Sequence, residues 1–180
     1  ENPDMLELGG EKREMTPFFS DIQGFSTISE GLTPEELVQL LNEYLTAMCD
    51  IISSHNGTID KFEGDAIIAF WGAPLNMPNH ATVACYATIE MQQRGEELRK
   101  TLREQNRPLL YTRMGLNSGP VVVGNMGSAE RMDYTMMGDV VNLAARLEGA
   151  NKFYKTYSMI SGSTYELTKE DVDSRQLDII

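Results

Sequence analysis

The chain is poor in the features that would commit it to several large classes of protein. Only two of its 180 residues are cysteine, Cys49 and Cys85, and both fall in segments with helical patterning. Two thiols that far apart make neither a disulfide framework nor a metal cage, and they fit a reducing, cytoplasmic compartment. No uninterrupted run of about 18 apolar residues occurs, so no segment reads as a transmembrane helix. A signal-peptide pattern is also lacking. Basic residues are scarce, 15 against 27 acidic ones, for a net charge of −12. That balance excludes broad electrostatic binding of nucleic acid or of an anionic membrane, and an anionic substrate would have to be held by local cations. The chain has no internal repeat and no low-complexity tract. It begins with Glu1 rather than Met, which raises the expectation of a piece cut from a longer protein.

What is present is ordinary globular material, 41% hydrophobic and 23% charged, in a length that suits one domain. Residues 1–14, polar and carrying Gly9-Gly10, read as a linker from an upstream region, with the domain proper over 15–180. Residues 15–20 read as a strand. Thr33 fits a helix N-cap, Pro34 the first helical position, and Glu36 completes a capping box. Leu37, Leu40, Leu41, Tyr44, Leu45, Met48, Ile51 and Ile52 then form one apolar stripe, and Gly57 reads as the stop. "TIDKFEGDAIIAFWG" reads as a hairpin turning at residues 63–65, and its second strand, Ala66 to Trp71, is apolar throughout and therefore central. A second long helix is expected from His80 to Gln105, then a strand over Leu109–Leu116. A short apolar strand in "NSGPVVVGNMG", a helix in "GDVVNLAARLEGA" and a strand over Tyr157–Ser161 follow. The order β-α-β-β-α-β with a helix/strand appendage predicts an α+β, ferredoxin-like, palm-like core.

"FFSDIQGFS", residues 18–26, places Asp21 at the end of the first strand, followed by a turn through Gly24. Asp65 sits in the later hairpin turn. In a ferredoxin-like sheet those strands can be neighbours, so the two carboxylates can converge. Such a pair repels unless a cation lies between, and Mg²⁺ takes one or two carboxylates together with phosphates. Backbone amides in a turn such as the one after Asp21 can hold phosphate oxygens. Taken alone the pair is also compatible with two solvated strand ends.

Four stretches decide more together. "FFSDIQGFS", "TIDKFEGDAIIAFWGAP", "GLNSGPVVVGNMGS" and "YTMMGDVVNLAARLEG", in that order and at these spacings, resemble the catalytic domain of the class III nucleotidyl cyclases, the adenylyl and guanylyl cyclase family. The resemblance runs from about Met15 to Ser161 and is closest to bacterial adenylyl cyclases. It implies two Mg²⁺ (or Mn²⁺) ions held by Asp21, Asp65 and the Ile22 carbonyl. It implies a phosphate-binding turn of backbone amides from Ile22, Gln23, Gly24, Phe25 and Ser26. Lys61 and Thr135 match the purine-contacting positions, Asn142 the residue that orients the ribose, and Arg146 the residue that stabilises the phosphate in the transition state. Asn142 and Arg146 are at i and i+4, on one helix face, and Arg offers a fixed fork of donors suited to an oxyanion. Each of these also has a plainer reading: Arg146 as a helix arginine paired with Glu148, Asn142 as a polar helix residue, Lys61 as a strand-edge charge, Thr135 as a β-branched strand residue.

Base choice follows from hydrogen-bond chemistry. Adenine offers an acceptor at N1 and a donor at N6, whereas guanine offers the reverse at N1 and O6. Lys is donor-only and Thr can accept, so Lys61 with Thr135 fits ATP. Guanylyl cyclases typically carry an acid at the lysine position. The resemblance further implies a head-to-tail homodimer in which the metal aspartates come from one subunit and the purine residues, Asn and Arg from the other; "GNMGSAERMDY" resembles the dimer arm. The family usually adds a phosphate-binding lysine in a late "VKGK"-like stretch. None occurs before Ile180, and Lys155 and Lys169 stand at other spacings, so neither is assigned. The expectation is reduced activity, or a last strand lying past Ile180. The "LGGEKRE" entry resembles the linker of larger, often membrane-attached cyclases, with this domain on the cytoplasmic side. Three alternatives rank below: a guanylyl cyclase; a diguanylate cyclase, whose GG[DE]EF-type turn is not the "FEGDA" found here; and a degenerate cyclase-like dimerisation module, which would be expected to have lost one of Asp21, Asp65, Asn142 or Arg146.

Overall fold

The computed structural model describes residues 9–128 and 131–178. Strand β1 (Gly9–Ile22) leads through the short helix α1 (Phe25–Glu30) into α2 (Pro34–Ser54). The hairpin β2 (Thr58–Glu63) and β3 (Ala66–Trp71) precedes α3 (His80–Glu104) and β4 (Thr112–Leu116). The remainder is β5 (Gly119–Gly127), β6 (Met132–Met137), α4 (Asp139–Tyr154), β7 (Ser158–Ile160) and α5 (Gly162–Thr168). The main sheet runs β2-β3-β1-β4-β7, so its first four strands have the ferredoxin-like order expected from the sequence, with β7 added in parallel to β4.

Local chemistry explains the elements. Thr33 accepts from the Glu36 amide at 3.3 Å and its own amide donates to Glu36 Oε2 at 2.9 Å, the expected capping box, worth about 1 kcal/mol. Leu40, Tyr44, Met48, Ile51 and Ile52 bury one stripe of α2. The helix ends in a Schellman turn, in which the Gly57 amide donates to the Ile52 carbonyl and the Asn56 amide to that of Ser53. Asn56, not Gly57, takes the left-handed conformation, at φ 56°. β3 is apolar throughout because both its faces are covered. Ile67, Ala69 and Trp71 join Phe18 and the α2–α3 side, while Ile68 and Phe70 join Met15, Val121, Val123 and Met136 on the other.

Three readings are corrected. Residues 9–14 are strand rather than linker: they pair antiparallel with β5, from Gly9 opposite Asn125 to Glu14 opposite Pro120. Their side chains are largely exposed, so the polar composition looked like a connector. Residues 1–8 lie outside the described residues. The strand expected from Leu109 starts at Thr112. α1, α5 and β6 as an element were not foreseen, although Thr135 also read as a strand residue; β6 carries Thr135, and residues 124–134, which resemble the dimer arm, fall within the β5–β6 hairpin, residues 129–130 lying outside the described residues.

The placement of α4 depends on Gly115. A Cβ there would collide with the backbone of Ala144 and Glu148, so only glycine lets the helix lie against β4. Buried Asn151 locks the contact by donating to the Met114 carbonyl at 2.9 Å.

Candidate functional site

The two aspartates converge as the sequence implied. Asp65 follows Gly64, whose φ of 64° makes the tight hairpin turn, and the Ile22 amide donates to Asp65 Oδ2 at 2.8 Å. The Asp65 carboxyl is half-buried and pushed up to about 6, chiefly by burial and then by the Asp21 carboxylate beside it. Asp21 lies one residue inside the end of β1, opposite Arg113 of β4. Arg113 Nη2 donates to Asp21 Oδ2 at 2.9 Å, and Arg113 Nε lies 3.1 Å from Glu148 Oε1 on α4, a close approach without hydrogen-bond alignment. Burial also raises the Glu148 carboxyl, against the opposing pull of Arg113. Asp21 and Glu148 thus share one guanidinium while Asp65 stands beside Asp21, and the cluster of three carboxylates is short of positive charge. Among the described residues no three His, Cys, Asp or Glu side chains form a closed metal cage. A paired, cation-hungry carboxylate site open to further oxygen ligands fits a hard divalent cation that arrives with a phosphate.

The expected phosphate turn is narrower as folded. Of its five amides, Ile22 N–H is taken by Asp65 and Gln23 N–H by the Tyr111 carbonyl at 2.7 Å. Those of Gly24, Phe25 and Ser26 have no acceptor among the described residues and stand at the start of α1, where intrahelical partners are lacking.

A second cluster forms where β2 meets β6. Thr135 Oγ1 donates to Asp60 Oδ2 at 2.7 Å, and Lys61 Nζ lies 3.5 Å from Asp60 Oδ1. The Asp60 side chain is 2% exposed, that of Lys61 43%. β2 breaks register with β3 between Ile59 and Lys61, which leaves Asp60 opposite no residue. Such a bulge re-aims side chains, and it brings Lys61 and Thr135 to one carboxylate.

Asn142 and Arg146 share the exposed side of α4, whose buried residues are Ala144, Leu147 and Asn151. Neither side chain has a hydrogen bond or ion pair among the described residues; Glu148, the plain partner for Arg146, is engaged by Arg113 instead. The sequence reading missed Arg113, Glu148 and Asp60. Arg113 meets Asp21 only through strand pairing across 92 positions. The adjacent acid and base of "DK" within a six-residue strand was the one visible sign of Asp60.

A family model described as the adenylate and guanylate cyclase catalytic domain matches residues 10–180. Adenylate cyclase 1 of Rhizobium meliloti is 42% identical over 166 residues, covering 92% of this chain and 25% of the relative. An adenylate cyclase of Anabaena cylindrica is 35% identical over 163 residues, covering 88% and 32%. The chain therefore spans about a quarter to a third of the curated relatives it matches. Among solved structures, the adenylyl cyclase CyaB from P. aeruginosa superposes with a TM-score of 0.84 at 42% identity, covering 91% of this chain and 84% of that one. The guanylyl cyclase Cya2 superposes with a TM-score of 0.82 at 40% identity, covering 89% and 80%.

Proposed function

This chain belongs to the adenylate and guanylate cyclase catalytic-domain family, and from that premise we propose that it is an adenylyl cyclase converting ATP to 3′,5′-cyclic AMP and pyrophosphate. The observation that carries the reading is the convergence of Asp21 and Asp65 in a cluster short of positive charge. In the reaction the ribose 3′-oxygen forms a bond to the α-phosphorus. The bond from that phosphorus to the β-phosphate bridging oxygen breaks, and the 3′-hydroxyl proton leaves to solvent. Two Mg²⁺ or Mn²⁺ ions, when bound, would lower the charge on the triphosphate and favour the 3′-oxygen as nucleophile. Asp21, Asp65 and the Ile22 carbonyl hold that region. The Gly24, Phe25 and Ser26 amides receive phosphate oxygens. Lys61 donates to adenine N1 and Thr135 accepts from N6, while Asn142 orients the ribose and Arg146 stabilises charge developing at phosphorus.

Asn142 and Arg146, whose side chains find no partner among the described residues, support a site shared between two subunits in a head-to-tail homodimer, each presenting its α4 face to the other's aspartates. In the relatives the matching segment is a minor part of the chain, and we place this domain beside a regulatory region, on the cytoplasmic side where ATP is available. No described helix is long and apolar enough to cross a membrane.

The second reading is a guanylyl cyclase, favoured by the 40% identity to Cya2. Measuring kcat/KM for ATP and for GTP with Mg²⁺ and with Mn²⁺ separates them. Cyclic AMP as the main product is expected. Preference for GTP supports the second reading, and turnover of neither nucleotide supports a non-catalytic dimerisation module.

A further inference from the structure

Thr135 can favour adenine only if its hydroxyl accepts from the base. A threonine hydroxyl has one proton and two lone pairs, and left free it would rotate to donate to guanine O6 as readily as it accepts from adenine N6. The structure removes that freedom. The one proton is committed to Asp60 Oδ2 at 2.7 Å. Asp60 is itself fixed: its side chain is 2% exposed, it sits at the register break of β2, and its other oxygen faces the Lys61 ammonium at 3.5 Å.

We propose that Asp60 is a positioning residue that sets base choice by consuming the only proton Thr135 can donate. Thr135 then presents lone pairs alone to the pocket. The same carboxylate steadies Lys61, a pure donor, beside it. Adenine meets an acceptor opposite N6 and a donor opposite N1. Guanine would meet lone pairs opposite O6 and an ammonium opposite the N1 hydrogen, two unmade bonds and two repulsions. The inference rests on Lys61 and Thr135 being the purine contacts.

The test is the ratio of kcat/KM for GTP to that for ATP in Asp60→Asn, Asp60→Ala, Thr135→Val and the Asp60→Asn/Thr135→Val double variant. Asp60→Asn is nearly isosteric, and its amide can donate to Thr135 Oγ1 and release the threonine proton. The ratio is expected to rise about tenfold in Asp60→Ala and by a smaller factor in Asp60→Asn. In the Thr135→Val background the Asn substitution should no longer move it. A merely structural Asp60 would lower kcat/KM for both nucleotides in parallel and leave the ratio alone. That outcome, in a wild-type chain that prefers ATP and an Asn variant that remains folded by circular dichroism, overturns the proposal. A Thr135→Val chain with unaltered base preference overturns instead the purine-contact reading beneath it.

Discussion

One hairpin carries two electrostatic designs, five residues apart. At its turn, Asp65 stands beside Asp21, with the Arg113 charge divided between Asp21 and Glu148, and its carboxyl is pushed up to about 6. In the middle of β2, the more deeply enclosed Asp60 meets a hydroxyl and an ammonium from its own chain. The first region is unfinished; the second is closed in charge, although the buried Asp60 Oδ1 faces the ammonium without accepting a hydrogen bond. The difference teaches how to separate a group that awaits a ligand from one that organises its neighbours. Burial does not do it, since the more buried aspartate is the one whose charge is compensated, by a hydroxyl donor and an ammonium. What separates them is whether the chain itself supplies the compensating charge and donors.

The largest way to break that comparison is to remove one unfinished carboxylate. Asp65→Ala or Asp21→Ala should lower turnover by about a thousandfold or more, because the site loses its hold on the cations that neutralise the triphosphate. The fold should survive, since neither side chain belongs to the apolar clusters. Steady-state kinetics with far-ultraviolet circular dichroism checks both halves; a folded variant with wild-type turnover removes the metal assignment.

The unfinished region was legible in the sequence and the closed one was not, for physical reasons. Asp21 and Asp65 sit beside a turn and a strand end, where local grammar is strong, and Gly64 announces the turn that aims Asp65. The capping box at Thr33 and the α2 stripe are equally local. Asp60 acts through a bulge, and a bulge breaks the alternation by which strand side chains are assigned to faces. Thr135 lies in "MDYTMM", a strand with no clean alternation, set by its pairing to β5. Residues 9–14 looked like a linker because the pairing that orders them uses only backbone. Gln23 looked free to bind phosphate because its acceptor, the Tyr111 carbonyl, comes from a distant segment.

If the aspartate region is completed by another subunit's α4, two inactive chains should repair each other. Mixing Asp65→Ala with Arg146→Ala at equal amounts gives half mixed dimers by random pairing. Each mixed dimer has one site carrying both lesions and one carrying neither, so about a quarter of wild-type activity should return. Arg146→Ala alone should lower kcat more than it raises KM, as befits a contact made in the transition state. Mixed chains that dimerise by light scattering yet stay inactive place Arg146 and Asp65 in one subunit's site and end the shared-site reading.

The smallest expected effect is the most direct probe of the contrast between the two regions. With the folded carboxyl of Asp65 at about 6, against about 4 in an unfolded chain, the folded state binds the proton more tightly. The Asp65 share of metal-free stability should therefore be fullest below pH ~4, fall as the pH rises from ~4 through ~6, and level off above. His80, lowered by burial, contributes with the opposite sign: a neutral imidazole is favoured in the fold, so its share is lost as pH falls and is fully present above about 6.5. Raised Glu148 adds to the Asp65 slope. The Asp65 share is thus read as the difference between the native chain and Asp65→Asn across the range. Because half of Asp65 faces solvent, that difference should not exceed about 2–4 °C in Tm. Asp65→Asn should be the more stable chain at pH 8 without metal and should lose that advantage at pH 4. Adding Mg²⁺ should raise the Tm of the native chain at pH 8 more than at pH 5, since the carboxylates must be ionised to bind it. Asp65→Asn should respond less at both pH values. Equal Mg²⁺ responses from the two chains would mean that the carboxylate pair is no cation site, and the contrast with Asp60 would then be one of burial alone.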